Sequence, residues 1–149
     1  MVEIDGKYVY DYERAGLTAD VALLEVLAGR LSVLLIERGG EPYAGSWALP
    51  GGYMEIDETL AAAAARELVE ETGVAAARLE PLGVYDRLDR DPRGRTITFA
   101  YVGSGVSGDS SPTAGDDARR AQWFPVDDLP ELAFDHAEIV ADALASRPG

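Results

Sequence analysis

Residues 52–74 constrain this chain more than any other segment. They carry seven fixed letters and two aliphatic positions: Gly52, five residues, Glu58, seven residues, Arg66-Glu67-Leu68, one residue, Glu70-Glu71, one residue, Gly73-Val74. Each fixed letter has a background of roughly 5 to 8 per cent, so the string arises by chance on the order of 10⁻⁹ times per starting position. At about 100° per residue, Glu67, Glu70 and Glu71 fall near 0°, 300° and 40°, and three carboxylates share one face of a helix. Like charges at i,i+3 and i,i+4 cost an isolated helix roughly 0.2–0.5 kcal/mol per pair, and no lysine stands between them. The pattern asks for a positive charge from elsewhere. Clustered hard oxygen ligands suit Mg²⁺ or Mn²⁺, which take a few carboxylates, keep several waters and complete their shell with substrate phosphates.

The rest of the helix explains its anchoring. Ala61, Ala64, Ala65, Leu68 and Val69 form an apolar stripe bordered by the glutamates, which predicts a core-facing side. Asp57 is the expected cap, Glu58 lies next to the positive dipole end, and Gly73 supplies a left-handed stop with Val74 folding back. The helix is predicted over 58–72. Ahead of it, Trp47-Ala48-Leu49-Pro50-Gly51-Gly52 ends in two glycines, which can approach an ion closely and turn a main-chain carbonyl towards it. Trp47 and Leu49 read as core plugs.

With 149 residues, 47% of them hydrophobic, the chain is sized for one domain over 1–149 with a proper core. A net charge of −14 opposes nonspecific binding to nucleic acid or to anionic membranes, so neither is an expected partner. The absence of cysteine excludes disulfides, thiolate nucleophiles and zinc–thiolate sites. Residues 1–16 have no apolar leader core and no stretch approaches 18 apolar residues, which gives the expectation of a soluble, cytoplasmic protein.

Strands are expected at 18–27 and 31–37, as a hairpin around Ala28-Gly29-Arg30, and at 79–88, 96–102 and 121–126, with a closing amphipathic helix at 135–145. Residues 103–115 are rich in serine, glycine and proline and read as a mobile surface loop. Strands with one helix embedded mid-chain and one at the end fit an α/β/α sandwich on a central mixed β-sheet. Tyr8, Tyr10 and Tyr12 alternate, which places them on one side of an N-terminal strand. That strand is expected to be peripheral or to form a dimer contact, with stacking on adenine the other role open to its tyrosines.

The string at 52–74 is the Nudix box without departures, and the chain resembles the Nudix hydrolases. The resemblance implies a Nudix-type α/β/α sandwich and Mg²⁺-dependent hydrolysis (Mn²⁺ able to substitute) of a nucleoside diphosphate linked to another group. It also implies that Glu67, Glu70 and Glu71 hold metal together with the Gly51 carbonyl, that Arg66 orients Glu67, and that the general base is Glu67 or an acid from a distal loop. Asp116 and Asp117 stand where such a loop acid or further metal ligand is found, with Asp117 favoured as the base. Glu58 is either a helix-dipole residue or a catalytic one.

The segments Tyr85-Asp86-Arg87, Arg90-Asp91-Pro92-Arg93-Gly94-Arg95 and Leu132-Ala133-Phe134-Asp135-His136 look like those of ADP-ribose pyrophosphatases and of ADP-ribose-sensing regulators. They imply a small-molecule nucleotide substrate, ADP-ribose, cleaved to AMP and ribose 5-phosphate; the chain is separately expected to be a homodimer. Forked guanidinium groups suit phosphate oxygens, so Arg38, Arg87, Arg93 and Arg95 are candidate substrate contacts. His136 is either a further contact or a structural residue at a helix start. Two other functions stay open: pyrophosphohydrolysis of a nucleoside triphosphate, and ADP-ribose sensing without turnover. Sensor regulators carry a separate DNA-binding domain, for which these residues offer neither length nor basic surface.

Overall fold

The computed structural model describes residues 1–115 and 117–147. In chain order the elements are β1 (Val2–Ile4), β2 (Lys7–Val9), β3 (Gly16–Leu27), β4 (Arg30–Arg38), β5 (Trp47–Ala48), β6 (Gly51–Tyr53), α1 (Leu60–Thr72), β7 (Ala75–Tyr85), β8 (Thr96–Ser107), β9 (Ala118–Pro125) and α2 (His136–Ala145). β1 and β2 form a hairpin of their own. The other strands make one mixed sheet in which β3 pairs parallel with β8 and its remaining ladders are antiparallel.

Alternation along the buried strands assigns their side chains to two layers. Ala19, Val21 and Leu23 of β3 pack with Ala63, Ala64 and Leu68 of α1. Ala22 and Leu24 pack on the other face with Ile139, Val140 and Ala143 of α2. Both faces of the sheet are covered, which is why β3 and β4 read as near-continuous apolar runs. The expected α/β/α sandwich on a mixed sheet is the observed architecture.

The hairpin of β3 and β4 opens towards the site. Near its turn, Leu24 pairs with Val33. Farther along, β6 replaces β4 beside Thr18–Asp20, while β5 takes the edge of β4 at Ile36 and Glu37. The segment 47–53 is therefore wedged into the splay between the two strands.

Several expected boundaries move. α1 starts at Leu60, and its cap is Thr59, whose hydroxyl accepts the Ala62 amide at 3.1 Å. Asp57 does not cap it: the cap falls two residues later, and Glu58 lies outside the helix in the grip of Arg66. Gly73 closes the helix at φ 70°, donating to the Val69 carbonyl. The buried face is rolled from the expected stripe: Ala63, Ala64, Leu68, Glu71 and Thr72 face inwards, whereas Ala61, Ala65 and Val69 are exposed. Glu71 is drawn in by a loop amide, and alanines beside it permit close approach to the sheet.

The expected loop at 103–115 is strand over its first five residues. β8 continues to Ser107, paired with β7 back to Ala75. Gly103 is needed there, because a Cβ would lie 2.6 Å from Leu23 Cδ1. The remainder is strapped to the end of α1, with the Thr113 amide donating to the Thr72 carbonyl at 2.8 Å and Gly115 to that of Glu71 at 3.2 Å. These bonds satisfy carbonyls that a helix end leaves open. At the N-terminus, β2 ends at Val9, so Tyr10 and Tyr12 lie outside the strand expected to align them with Tyr8. Among the described residues no helix is long and apolar enough to cross a membrane.

Candidate active site

The splay between β3 and β4 opens into a cavity of about 1120 Å³, within reach of α1, the 90–93 turn and the start of α2. Its floor is built by the loop joining β5 to β6. Trp47 accepts the Ala133 amide at 2.8 Å, Leu49 donates to His136 Nδ1 at 2.9 Å, Pro50 accepts the Val21 amide at 2.9 Å, and Gly51 donates to Glu71 Oε1 at 2.8 Å. Leu49 is a core plug as expected, and Trp47 is half-buried, edge-on to Phe124. Gly51 is required by crowding, and Gly52 leaves room for the Glu67 carboxylate. A Cβ on Gly51 would collide with the Asp20 carboxylate and the Ala19 carbonyl, and one on Gly52 would sit 2.7 Å from the Glu67 carboxylate.

On α1, Arg66 gathers three carboxylates. It grips Glu58 with Nη2 at 2.6 Å and Nε at 3.0 Å, and its Nη1 reaches Glu67 at 2.8 Å and Glu70 at 3.0 Å. The Glu58 carboxyl is held at about 2, chiefly by the Arg66 hydrogen bond and then by the Glu55 amide. Arg66, itself part of the 52–74 string, thus supplies positive charge expected from outside it, and Glu58 is neither in the helix nor free of a partner. Glu71 is different. Burial pushes its pKa up to about 8 against the Gly51 hydrogen bond, and repulsion by Glu67 and Asp20 adds to the rise.

Arg38 and Arg93 line the same cavity. Arg38 donates from Nε to the Pro42 carbonyl at 2.7 Å, and its guanidinium lies 5.0 Å from the Phe134 ring centre. Burial and the neighbouring Arg93 lower its pKa. Arg93 forks onto Asp91, with Nη2 at 2.7 Å, and lies 5.6 Å from the same ring. Beneath them Arg90 and Asp135 form a buried two-pronged pair at 2.9 and 2.7 Å, which ties the turn to the start of α2.

The structure brings Gly51, Arg66, Glu67, Glu71, Arg38, Arg93, His136 and Asp117 to the cavity. Glu70 is more exposed and joins them through Arg66. Arg87 and Arg95 do not line it. Arg87 faces Glu138 at 3.3 Å and Asp89 at 3.5 Å on an outer surface, and Arg95 donates to the Asp86 carbonyl at 2.8 Å. Asp116 lies outside the described residues. Asp20 has no place among the sequence expectations, and Phe134 enters them only within the 132–136 segment. Asp20 is the one charged residue among the apolar positions of β3 before Glu25, a legible signal for a buried functional carboxylate. Phe134 has φ 54°, which no sequence pattern announces.

A model of the NUDIX domain matches residues 16–143. The chain belongs to the NUDIX domain family. Among Nudix relatives it is 43% identical over 117 residues to the ADP-ribose pyrophosphatase of Methanocaldococcus jannaschii, covering 78% of this chain and 68% of that protein. It is 32% identical over 139 residues to the ADPR responsive transcriptional repressor NtrR of Acinetobacter baylyi, covering 91% of this chain and 55% of the repressor. The crystallised NUDIX domain of Shewanella oneidensis NrtR in complex with ADP ribose superposes with a TM-score of 0.84 at 30% identity, over 91% of this chain and 92% of that one.

Nudix ADP-ribose pyrophosphatases generally use a divalent metal, and the donors here fit one. They are carboxylate oxygens, hard donors of the kind such an ion takes, with Glu67 and Glu71 lining one cavity. Among the described residues no three acidic or histidine side chains are gathered into a ready-made cage. Glu67 and Glu70 instead both face Arg66, which must share them with any incoming ion.

Proposed function

We propose that this Nudix protein hydrolyses the pyrophosphate bond of ADP-ribose, giving AMP and ribose 5-phosphate. The observation that carries the reading is that the Glu67 and Glu71 carboxylates of α1 and the guanidinium groups of Arg38 and Arg93 line one cavity. Such a cleft accepts a ligand rich in phosphate between a metal-holding side and an anion-holding side. Identity to an ADP-ribose pyrophosphatase over most of the chain supports the same substrate.

In this reading Glu67, Glu70, Glu71 and the Gly51 carbonyl would hold Mg²⁺, with Mn²⁺ as a substitute. When bound, the cation neutralises charge on the pyrophosphate oxygens and lowers the pKa of a coordinated water. Arg38 and Arg93 hold the diphosphate in line for attack. Glu67 or Asp117 takes the proton of the attacking water, whose oxygen forms the new P–O bond while the bridging oxygen leaves with the other phosphate. Arg66 keeps Glu67 aimed. Dimerisation belongs to the same proposal and is supported by the exposed β1–β2 hairpin, where Val2, Ile4, Tyr8 and Val9 lie open although a lone two-stranded hairpin is marginal in water. A cytoplasmic setting and the lack of a nucleic-acid partner rest on composition.

Likeness to an ADP-ribose-responsive repressor and to an ADP-ribose-bound domain favours a second reading, sensing without turnover. Side-by-side incubation of ADP-ribose and nucleoside triphosphates with Mg²⁺, with products resolved by chromatography, separates the readings. AMP plus ribose 5-phosphate, formed much faster than any triphosphate product, is the expected result. Tight ADP-ribose binding without products would establish the sensor, and pyrophosphate release from a triphosphate would overturn the substrate assignment.

A further inference from the structure

His136 is the only histidine of the chain, and its side chain is almost fully buried at the first position of α2. Its Nδ1 accepts the Leu49 amide at 2.9 Å. An imidazole nitrogen that accepts a hydrogen bond carries no proton, so the neutral ring has its proton on Nε2. Nε2 lies 3.7 Å from Asp20 Oδ2, which already accepts the Thr98 hydroxyl at 2.5 Å. That separation is too long for a direct hydrogen bond, and with a neutral ring it is a dipole facing a carboxylate, not an ion pair.

The opposite side of the ring acts on the loop. Leu49 is buried, so its amide has no recourse to solvent if the histidine is lost. Leu49 is followed by Pro50, whose ring fixes φ and stiffens the link to Gly51. Gly51 in turn donates to Glu71. A displacement at the Leu49 amide is therefore passed along two residues, of which Pro50 has a fixed φ, to the amide that holds the Glu71 carboxylate.

We infer that His136 is a positioning residue: as the neutral Nε2–H tautomer it fixes the Leu49 amide and, through Pro50, sets the Gly51–Glu71 contact. Its value for turnover rests on the function proposed above, whereas its hold on the loop does not. Sequence leaves His136 two candidate roles, substrate contact and structural residue, and this positioning role is distinct from a substrate contact.

The test uses the full chain and three variants. In His136→Asn the side-chain oxygen falls near the place of Nδ1 and can accept the Leu49 amide. In His136→Gln the amide falls near the place of Nε2, and His136→Leu has no acceptor. The expected result is kcat within about threefold of wild type for the asparagine variant and a loss of about 30-fold or more for the other two, as displacement of a reacting constellation by about 1 Å gives. KM stays within about threefold throughout. Amide exchange at Leu49 and Gly51 is expected to quicken at least about tenfold in His136→Leu and to stay slow in His136→Asn. Nitrogen-15 spectra of the single histidine should show an unprotonated Nδ1.

A protonated Nδ1 near neutral pH, wild-type kcat in His136→Leu, or equal losses in the asparagine and leucine variants would each overturn the inference. Should the leucine variant fail to fold, the asparagine–glutamine comparison and the wild-type spectrum still decide it. If the wild-type protein hydrolyses no ADP-ribose, the enzyme reading fails, and amide exchange and the tautomer decide the inference separately.

Discussion

The Gly51 amide donates to Glu71 Oε1 at 2.8 Å, and this one bond joins the wedged loop to α1. Without a cation it leaves a buried carboxyl whose proton is retained up to about pH 8. Unfolded, the same group has its ordinary value of 4.5. Between those two pH values the unfolded chain gives up a proton that the folded protein keeps, so stability is lost as pH rises through the window. At about 1.4 kcal/mol per unit the upper bound is a few kcal/mol.

In a chelator, Glu71→Gln should match wild type near pH 5 and be the more stable of the two at pH 9. Mg²⁺ at pH 9 should raise the melting temperature of wild type and have little effect on the variant, through mass action on the folded state. Thermal unfolding at both pH values, with and without Mg²⁺, checks this. A difference between the two proteins that stays constant with pH would contradict it.

Glu67 touches both the Arg66 guanidinium and the space that Gly52 leaves open. Glu67→Gln is expected to lower kcat by about 10²–10⁴ and Glu70→Gln by a smaller factor, with ADP-ribose affinity kept within a few-fold. Steady-state rates paired with calorimetric binding measure both. Undiminished turnover in Glu67→Gln would remove it from the proposed chemistry.

Gly52→Ala tests crowding, because its Cβ would meet the Glu67 carboxylate at 2.7 Å. The expected cost is about 1–3 kcal/mol of stability together with a fall in kcat of more than about tenfold. Gly40→Ala, where nothing lies within 4 Å of the added Cβ, is the control. Equal effects at the two positions would argue against contact with Glu67.

Arg38 and Arg87 were alike in sequence and are not alike in space. Arg38 lines the cavity, and Arg87 points to Glu138 on the outside. Arg38→Ala should raise KM for ADP-ribose at least about tenfold by removing a charge-assisted contact, and Arg87→Ala should leave kcat and KM within about twofold. The reverse order would mean that the substrate lies elsewhere.

Breaking the buried Arg90–Asp135 pair leaves one charge uncompensated. Arg90→Met should cost about 3–5 kcal/mol in denaturant unfolding, and Arg90→Met with Asp135→Leu less than the two single changes together. Strict additivity would show that the two groups do not act as a pair.

Local signals were legible in the sequence wherever one element sufficed. The Gly52–Val74 string gave α1 and its glycine stop to within two residues, and the β3–β4 hairpin was readable from apolar runs around Ala28-Gly29. Local signals misled where a partner intervened. Asp57 was a plausible cap, but the cap falls at Thr59 and Glu58 lies in the grip of Arg66. Gly103 and Gly105 looked like loop residues until β7 and β3 supplied ladders for the segment that contains them. The arginine turn divided into Arg93 in the cavity, Arg90 beneath it, and Arg87 and Arg95 outside, a sorting that depends on which carboxylates and carbonyls fold beside each one.

By itself the sequence determined the carboxylate helix, its glycine approach and the apolar strands, because helical and strand periods and turn chemistry act over a few residues. Tertiary structure decided what those carboxylates face. It set Arg66 among Glu58, Glu67 and Glu70, buried Glu71 against Gly51, and brought Asp20 and His136 together from positions 116 residues apart in the numbering. Desolvation and hydrogen-bond geometry depend on neighbours that only the folded sheet assembles, so the electrostatics of the site belong to the fold and not to the motif.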